Sequence, residues 1–251
     1  KVENRQEYLV QQTAKIEDSC HICVGQSPIF ALKNVQFFVK DREILKDITL
    51  EIPKGGRTVF LGENGCGKTT LLRLIARLYK PTGGNIAQYI DEKFKQKPKG
   101  SKAWYKKVGV VYQNPDYQLF MPTVRQEISF GAKSEEYAAE IAELFGVKHL
   151  WERHPQSLSE GQKRRVSIAA VAACDPEVLL LDEPTVGQDY DGLCALVEIL
   201  NKLHMQSGNT MITITHDVRC AEALCDRAYL IADGIVAKCG GKELVREYFT
   251  L

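Results

Sequence analysis

The stretch Gly62-Glu63-Asn64-Gly65-Cys66-Gly67-Lys68-Thr69 constrains this chain more than any other. It fits G-x-x-x-x-G-K-[ST] at every fixed position. It follows the compact apolar run Arg57–Leu61, which reads as a buried strand. It opens Lys68–Lys80, where Leu71, Leu74, Ile75 and Leu78 recur at helical spacing, and Pro81-Thr82-Gly83-Gly84 stops that helix. Glycines let backbone N–H groups curl around an anion with no Cβ in the way. The start of the helix adds about half a positive charge. Residues Gly62 to Thr69, with Thr70, therefore read as a phosphate cradle. Lys68 would reach the β- and γ-phosphates of a nucleotide, and the Thr69 hydroxyl would ligate Mg²⁺.

The rest of the chain alternates in the way such a cradle needs. Ile29–Val39 and Glu43–Ile52 read as strands joined by the turn Lys40-Asp41-Arg42. Val108–Tyr112, Val178–Leu181, Thr210–Thr215 and Arg227–Ile231 read as strands, and unbroken apolar runs such as Val178–Leu181 mark strands buried on both faces. Tyr190–Met205 and Val218–Cys225 read as helices, and residues 122–175 are rich in Ala, Glu and Leu. The pattern predicts an α/β fold. The run Val178–Leu181 would carry Asp182 to a strand's C-terminal edge, where open α/β sheets bind ligands. Asp182 would then hold the metal ion, and Glu183 would polarise an attacking water.

Composition sets outer bounds. With 251 residues the chain makes one large domain or two small ones. Lys plus Arg is 33 and Asp plus Glu is 32, a net charge of +1 that argues against a protein that coats nucleic acid. No run approaches the ~18 apolar residues that a membrane-spanning helix needs. The eight cysteines lie mostly singly in apolar runs and read as reduced thiols. Cys20-His21-Ile22-Cys23 is a CxxC without a second pair, which reads as coincidental. Residues 1–28 read as a polar extension. The Lys-rich residues 91–107 read as a solvated loop, with anionic lipid headgroups as the sharper alternative.

Further motifs, in order, make the chain resemble the ATP-binding subunits of ABC transporters. Leu158-Ser159-Glu160-Gly161-Gln162 is similar to the family signature LSGGQ, with Glu in the third place. Gln113, after Gly109–Tyr112, resembles the Q-loop glutamine. Val186-Gly187-Gln188-Asp189 resembles a degenerate D-loop that keeps Asp189, and His216 resembles the switch histidine. The resemblance covers residues 29–240. It implies a P-loop NTPase core with an N-terminal antiparallel β-subdomain and an inserted α-helical subdomain at about 114–175, within one ATPase domain spanning 29–251.

The resemblance also implies roles. Glu183, His216 and Gln113 would be catalytic, and Thr69, Gln113 and Asp182 would hold Mg²⁺. Ser159, Gly161 and Gln162 would meet the γ-phosphate of an ATP held by a second ABC ATPase subunit, identical or not, with Asp189 at that junction. Family members carry an adenine-stacking aromatic where this chain has Val39; Phe38 is one residue early and, by alternation, on the other face. Val39 would still give an apolar contact.

The segment Gln113-Asn114-Pro115-Asp116-Tyr117-Gln118-Leu119-Phe120, with Thr123–Gly131 downstream, is similar to the energy-coupling-factor and cobalt/nickel-type ATPases. That type implies a membrane coupling or permease protein seated against residues 114–130. It further implies uptake of a vitamin or transition-metal ion, a peripheral place on the cytoplasmic face of a membrane, and no nucleic-acid partner. The tail after His216 is short for the bacterial type. The cysteine content and a first residue that is not Met would suit an organellar relative on the stromal face of a plastid envelope, without its transit peptide. The alternative function is a soluble ABC-type ATPase acting on nucleic acid or an assembly scaffold. A third reading is a nucleotide-binding partner that stays closed on ATP without turning it over.

Overall fold

A computed structural model describes residues 27–89 and 102–250. They divide into two compact units, 27–89 with 224–250 and 102–223. The Cys20/Cys23 pair, residues 1–26 of the extension and residues 91–101 of the Lys-rich run lie outside the described residues.

The first unit is a mixed sheet. Strands β1 (Pro28–Val39) and β2 (Arg42–Pro53) form an antiparallel hairpin, closed by Val39 opposite Arg42. Its turn is made at Lys40, whose φ is +53°. Strand β3 (Arg57–Leu61) leads into the phosphate loop and then into α1 (Lys68–Ile75). Strand β4 (Gly83–Gln88) borders β1 antiparallel, with Ala31 opposite Ala87. Strands β8 (Arg227–Ala232) and β9 (Ile235–Gly240) are antiparallel. β9 runs parallel to β2 through Asp47 and Ile235, and β8 runs parallel to β3. The order is thus β4-β1-β2-β9-β8-β3. A fork between the Arg57 guanidinium and Asp226 (2.6 and 3.0 Å) ties the start of β3 to that of β8. Helix α8 (Lys242–Thr250) buries Leu244 and Val245 against β8 and β9.

The second unit is a parallel sheet with helices. In chain order it contains α2 (Lys102–Lys107), β5 (Val108–Val111), α3 (Val124–Ser129), α4 (Glu135–Leu144), α5 (Glu160–Ala173), β6 (Val178–Asp182), α6 (Tyr190–Ser207), β7 (Thr210–Ile214) and α7 (Val218–Ala223). β6 lies between β5 and β7, parallel to both. Every residue of β6 and β7 is buried, which suits the unbroken apolar run Val178–Leu181; Asp182, Thr210 and Thr213 are polar residues buried in the same strands. Thr123, Ser134, Ser159 and Asp189 cap α3, α4, α5 and α6 through their side-chain oxygens, and Gly208 ends α6 at φ +63°.

Three local expectations change, the first being that Lys102–Lys107, read as part of a solvated loop, is the helix α2 with Trp104 buried. The helix from Lys68 stops at Ile75, not Lys80. Arg77 turns left-handed at φ +60° and the Leu78 N–H donates to the Arg73 carbonyl, which closes the helix before Leu78 and Tyr79. β4 and β9 are strands that the apolar pattern did not mark.

The six described cysteines are free thiols. Burial pushes both Cys220 and Cys225 up to about 12. A raised thiol pKa leaves the unreactive neutral form in place at any pH well below that value. Native protein at pH 8 is therefore expected to leave Cys220 and Cys225 unlabelled by a thiol-directed alkylating reagent, and denatured protein to label both. Peptide mapping by mass spectrometry checks this, and rapid native labelling at either residue would contradict it. Among the described residues no helix is long and apolar enough to cross a membrane.

Candidate active site

In the first unit the phosphate loop is shaped by close approach. Gly62 has φ +142°, and a Cβ there would come within 2.2 Å of the Ile231 carbonyl oxygen. Gly67 has φ +106° at the N-cap of α1, and a Cβ there would meet the Leu45 methyl at 2.6 Å. Both positions need glycine for backbone angle and for space. The Lys68 ammonium folds back and donates to the carbonyls of Gly62 (2.7 Å) and Glu63 (2.8 Å). α1 has no side-chain cap and no acid in its first turn, so nothing of its own offsets the positive helix start. Thr69 and Thr70 are half-buried there, and Glu63, Asn64 and Gly65 are exposed. Burial raises the Cys66 thiol, with Lys68 opposing, so Cys66 adds no charge to the loop. A cavity of about 350 Å³ flanks the loop, lined among others by Arg42, Ile44, Lys46, Cys66 and Tyr248.

Val39 and Phe38 are both exposed, at 50% and 42%. The β1–β2 register slips between Phe37 and Phe38 but runs on unbroken from Phe38, opposite Glu43, to Val39, opposite Arg42, so alternation still separates the faces of these two residues. Phe37 instead stacks on Tyr79, with ring centroids 5.4 Å apart.

The remaining candidates belong to the second unit. Asp182 ends β6 and is buried, and Glu183 follows it, buried, with φ +52°. Such a backbone is strained for a non-glycine residue. It is held by the Glu183 N–H donating to the Ile214 carbonyl at 2.9 Å. The Glu183 carboxylate in turn accepts from the His216 backbone N–H at 3.2 Å and lies 3.3 Å from the His216 Nε2. Asp217, beside it, accepts from Arg219 and from the Cys220 N–H, and Arg219 holds its carboxyl below the usual carboxylate range.

Gln113 is exposed just past β5. Gln118 closes the segment behind it, accepting from the Tyr112 N–H and donating to the Val110 carbonyl. The signature turn is a reciprocal cap: the Ser159 hydroxyl accepts from the Gln162 N–H, and the Ser159 N–H donates to the Gln162 side chain. The Gln188 amide donates to the Gly161 carbonyl at 3.1 Å, which joins the D-loop to that turn, and Asp189 caps α6. Glu160 pairs with Lys163 at 3.3 Å.

Two residues passed over in sequence line this region. Lys163 donates to Asp116 at 2.9 Å, and Arg164 donates to the carbonyls of Tyr112 and Gln113. Both look like part of a basic surface run. The signal that marks Arg164 is its helical spacing from Ile168, a residue of the buried stripe of α5.

Residues 45–186 match the family model described as ABC transporter. The chain belongs to the ABC transporter family. An energy-coupling factor transporter ATP-binding protein of Lactococcus lactis subsp. cremoris is 40% identical over 206 residues, covering 78% of this chain and 71% of that protein. One from Mycoplasma mobile is 35% identical over 224 residues, covering 85% and 80%. The solved structure of cbiO1 from Clostridium perfringens, described as part of the ABC transporter complex cbiONQ, is 30% identical with a TM-score of 0.75, covering 88% and 92%. The α/β fold is that of the ABC ATPases, and the chain is an ATP-binding, ATP-hydrolysing member of that family.

A Cβ at Gly62 would push the loop out of the shape that converges its N–H groups, and restoring that shape on binding would cost about 1–3 kcal/mol, so Gly62→Ala in this ABC ATPase should raise the Kd for ATP about tenfold or more. Calorimetric titration measures it, and an unchanged Kd would mean that phosphate does not bind at this loop.

Proposed function

We propose that this chain is the motor subunit of an energy-coupling-factor-type importer, and that its phosphate loop, Asp182, Glu183, Gln113 and His216 act on one Mg²⁺–ATP. The observation that carries the reading is the Glu183 carboxylate held by the backbone and ring of His216. A general base must be aimed before it is useful. Here the acid is buried, fixed at a strand end and oriented by a neighbour.

The loop N–H groups and Lys68 bind the β- and γ-phosphates. Val39 offers the base an apolar contact. Glu183 takes a proton from the attacking water, and His216 keeps the carboxylate turned toward it. Ser159, Gly161 and Gln162, at the start of α5, donate to the γ-phosphate held by a second ABC subunit, identical or not, with Asp189 at the junction. The Thr69 hydroxyl, the Asp182 carboxylate and the Gln113 amide oxygen are hard oxygen donors of the kind Mg²⁺ prefers. Among the described residues no group of three His, Cys, Asp or Glu could hold a metal, which suits an ion that arrives on the phosphates. Bound there, Mg²⁺ would offset the charge of the phosphate oxygens.

The membrane partner docks on the segment after Gln113. Tyr117, Phe120 and Phe130 are 80%, 68% and 70% exposed, and the last two rings meet edge to face at 5.8 Å. Large exposed aromatics grouped in one segment suit a protein partner better than water. The chain thus sits peripherally on the cytoplasmic face of a membrane and powers uptake of a vitamin or transition-metal ion, without nucleic acid.

Glu183→Gln should slow ATP turnover by about 10²–10⁴ while ATP still binds. A wild-type rate would remove Glu183 as the base. Affinity purification from detergent-solubilised membranes should recover a membrane coupling protein, and Phe120→Ala with Phe130→Ala should lose it. Recovery of ribosomes or DNA instead would favour a soluble ATPase.

A further inference from the structure

We propose that Arg164 is a positioning residue for ATP hydrolysis. Its guanidinium fastens the backbone at Tyr112 and Gln113 to the helix that begins at Ser159, so Gln113 is held toward this chain's own nucleotide by the helix whose first turn meets the second subunit's. The proposal rests on the role given above to Gln113.

The argument begins with where β5 stops. The strand pairs with β6 through Val111, so the carbonyls of Tyr112 and Gln113 lie beyond the ladder. Carbonyls beyond a ladder need another donor. Arg164 supplies both, its Nη1 to Tyr112 at 2.8 Å and its Nη2 to Gln113. The fork of a guanidinium suits two adjacent acceptors as no other side chain does.

The environment makes this an expensive arrangement for mere support. Arg164 is 3% exposed, and its Nε, also buried, has no partner among the described residues. Its hydrogen bonds go to neutral carbonyls; burial pulls its pKa down, and Glu160, Asp182 and Glu183 oppose that through charge at longer range. A buried cation is costly unless acids stand nearby. The acids assigned to metal and water offset part of that cost, and the guanidinium spends its donors on the residue assigned to the same metal.

The neighbouring Lys163 adds a second tie, to Asp116 at 2.9 Å. Ser159, Lys163 and Arg164 belong to a single capped helical turn and the turn after it. The loop 112–118 is therefore fastened at two points to the rod whose first turn is the signature.

The test uses the full chain with Mg²⁺ and ATP. Arg164→Gln keeps polarity but cannot span both carbonyls. It should speed amide exchange in residues 112–118 about tenfold, with β6 unchanged. It should lower kcat about tenfold and raise the Mg²⁺ concentration for half-maximal activity about tenfold, with the Mg²⁺-free Kd for ATP unchanged. A merely structural role would lower thermal stability without moving the Mg²⁺ requirement. Added to Gln113→Ala, Arg164→Gln should cost little more, because it acts through that residue. Arg164→Lys, which keeps the charge and one bond, should fall between wild type and Arg164→Gln. An unchanged exchange pattern, an unmoved Mg²⁺ requirement or fully multiplicative losses in the double variant would each overturn the proposal. A wild-type rate for Gln113→Ala alone would instead overturn the role given to Gln113, so the two failures are told apart.

Discussion

The contact on which the rest of the molecule depends is the approach of Gly62 to the Ile231 carbonyl. It leaves no room for a single carbon atom. β3 must therefore turn sharply at its end, and the chain must re-enter a helix within six residues. Gly67 repeats the demand against Leu45, so the hairpin β1–β2 and strand β8 both press on the loop from their own sides. Lys68 then closes the turn onto its own carbonyls. A loop held this way keeps its N–H groups converged without help from a ligand, which is what preorganisation means for an anion site.

The second unit stores its tension at Glu183. A left-handed glutamate at the end of a strand with every residue buried is an unfavourable conformation, worth about 1–3 kcal/mol. It persists because the Ile214 carbonyl and His216 fix both the backbone and the carboxylate. The strain and the proposed chemistry coincide in one residue. The same unit gathers Gln113, the signature turn and the D-loop by short polar ties through Arg164, Gln118 and Gln188. Its candidate residues are linked by hydrogen bonds to backbone, which transmit position better than flexible side-chain contacts.

What was legible in sequence was whatever obeys a pattern. The glycine octet, the apolar run Val178–Leu181 and the two acids that follow it stand out because spacing and burial dictate residue type. What escaped obeys no pattern. Leu78 keeps helical spacing, yet a left-handed Arg77 ends the helix first. β4 opens with Gly83-Gly84, which reads as a stop, and only its pairing with β1 makes it a strand. Phe38 and Val39 are both exposed at the end of the hairpin, although alternation sets them on opposite faces. Arg164 hid in a basic run, since a cation that satisfies carbonyls in the interior has the same letter as one in water. The most informative departures thus lie where tertiary contact overrides local preference.

The aromatic rings at Phe120 and Phe130 carry a consequence for the life of the protein before assembly. Glu127, buried, accepts from the N–H groups of Phe120 and Met121 and so keeps this stretch of backbone presented and not collapsed inward. A copy with no membrane protein over it shows sticky surface at all times, and such surface invites self-association and triage by chaperones and proteases. Under the proposed docking, the abundance of this subunit would follow the supply of its partner, because two phenylalanines that water does not want mark every unassembled copy.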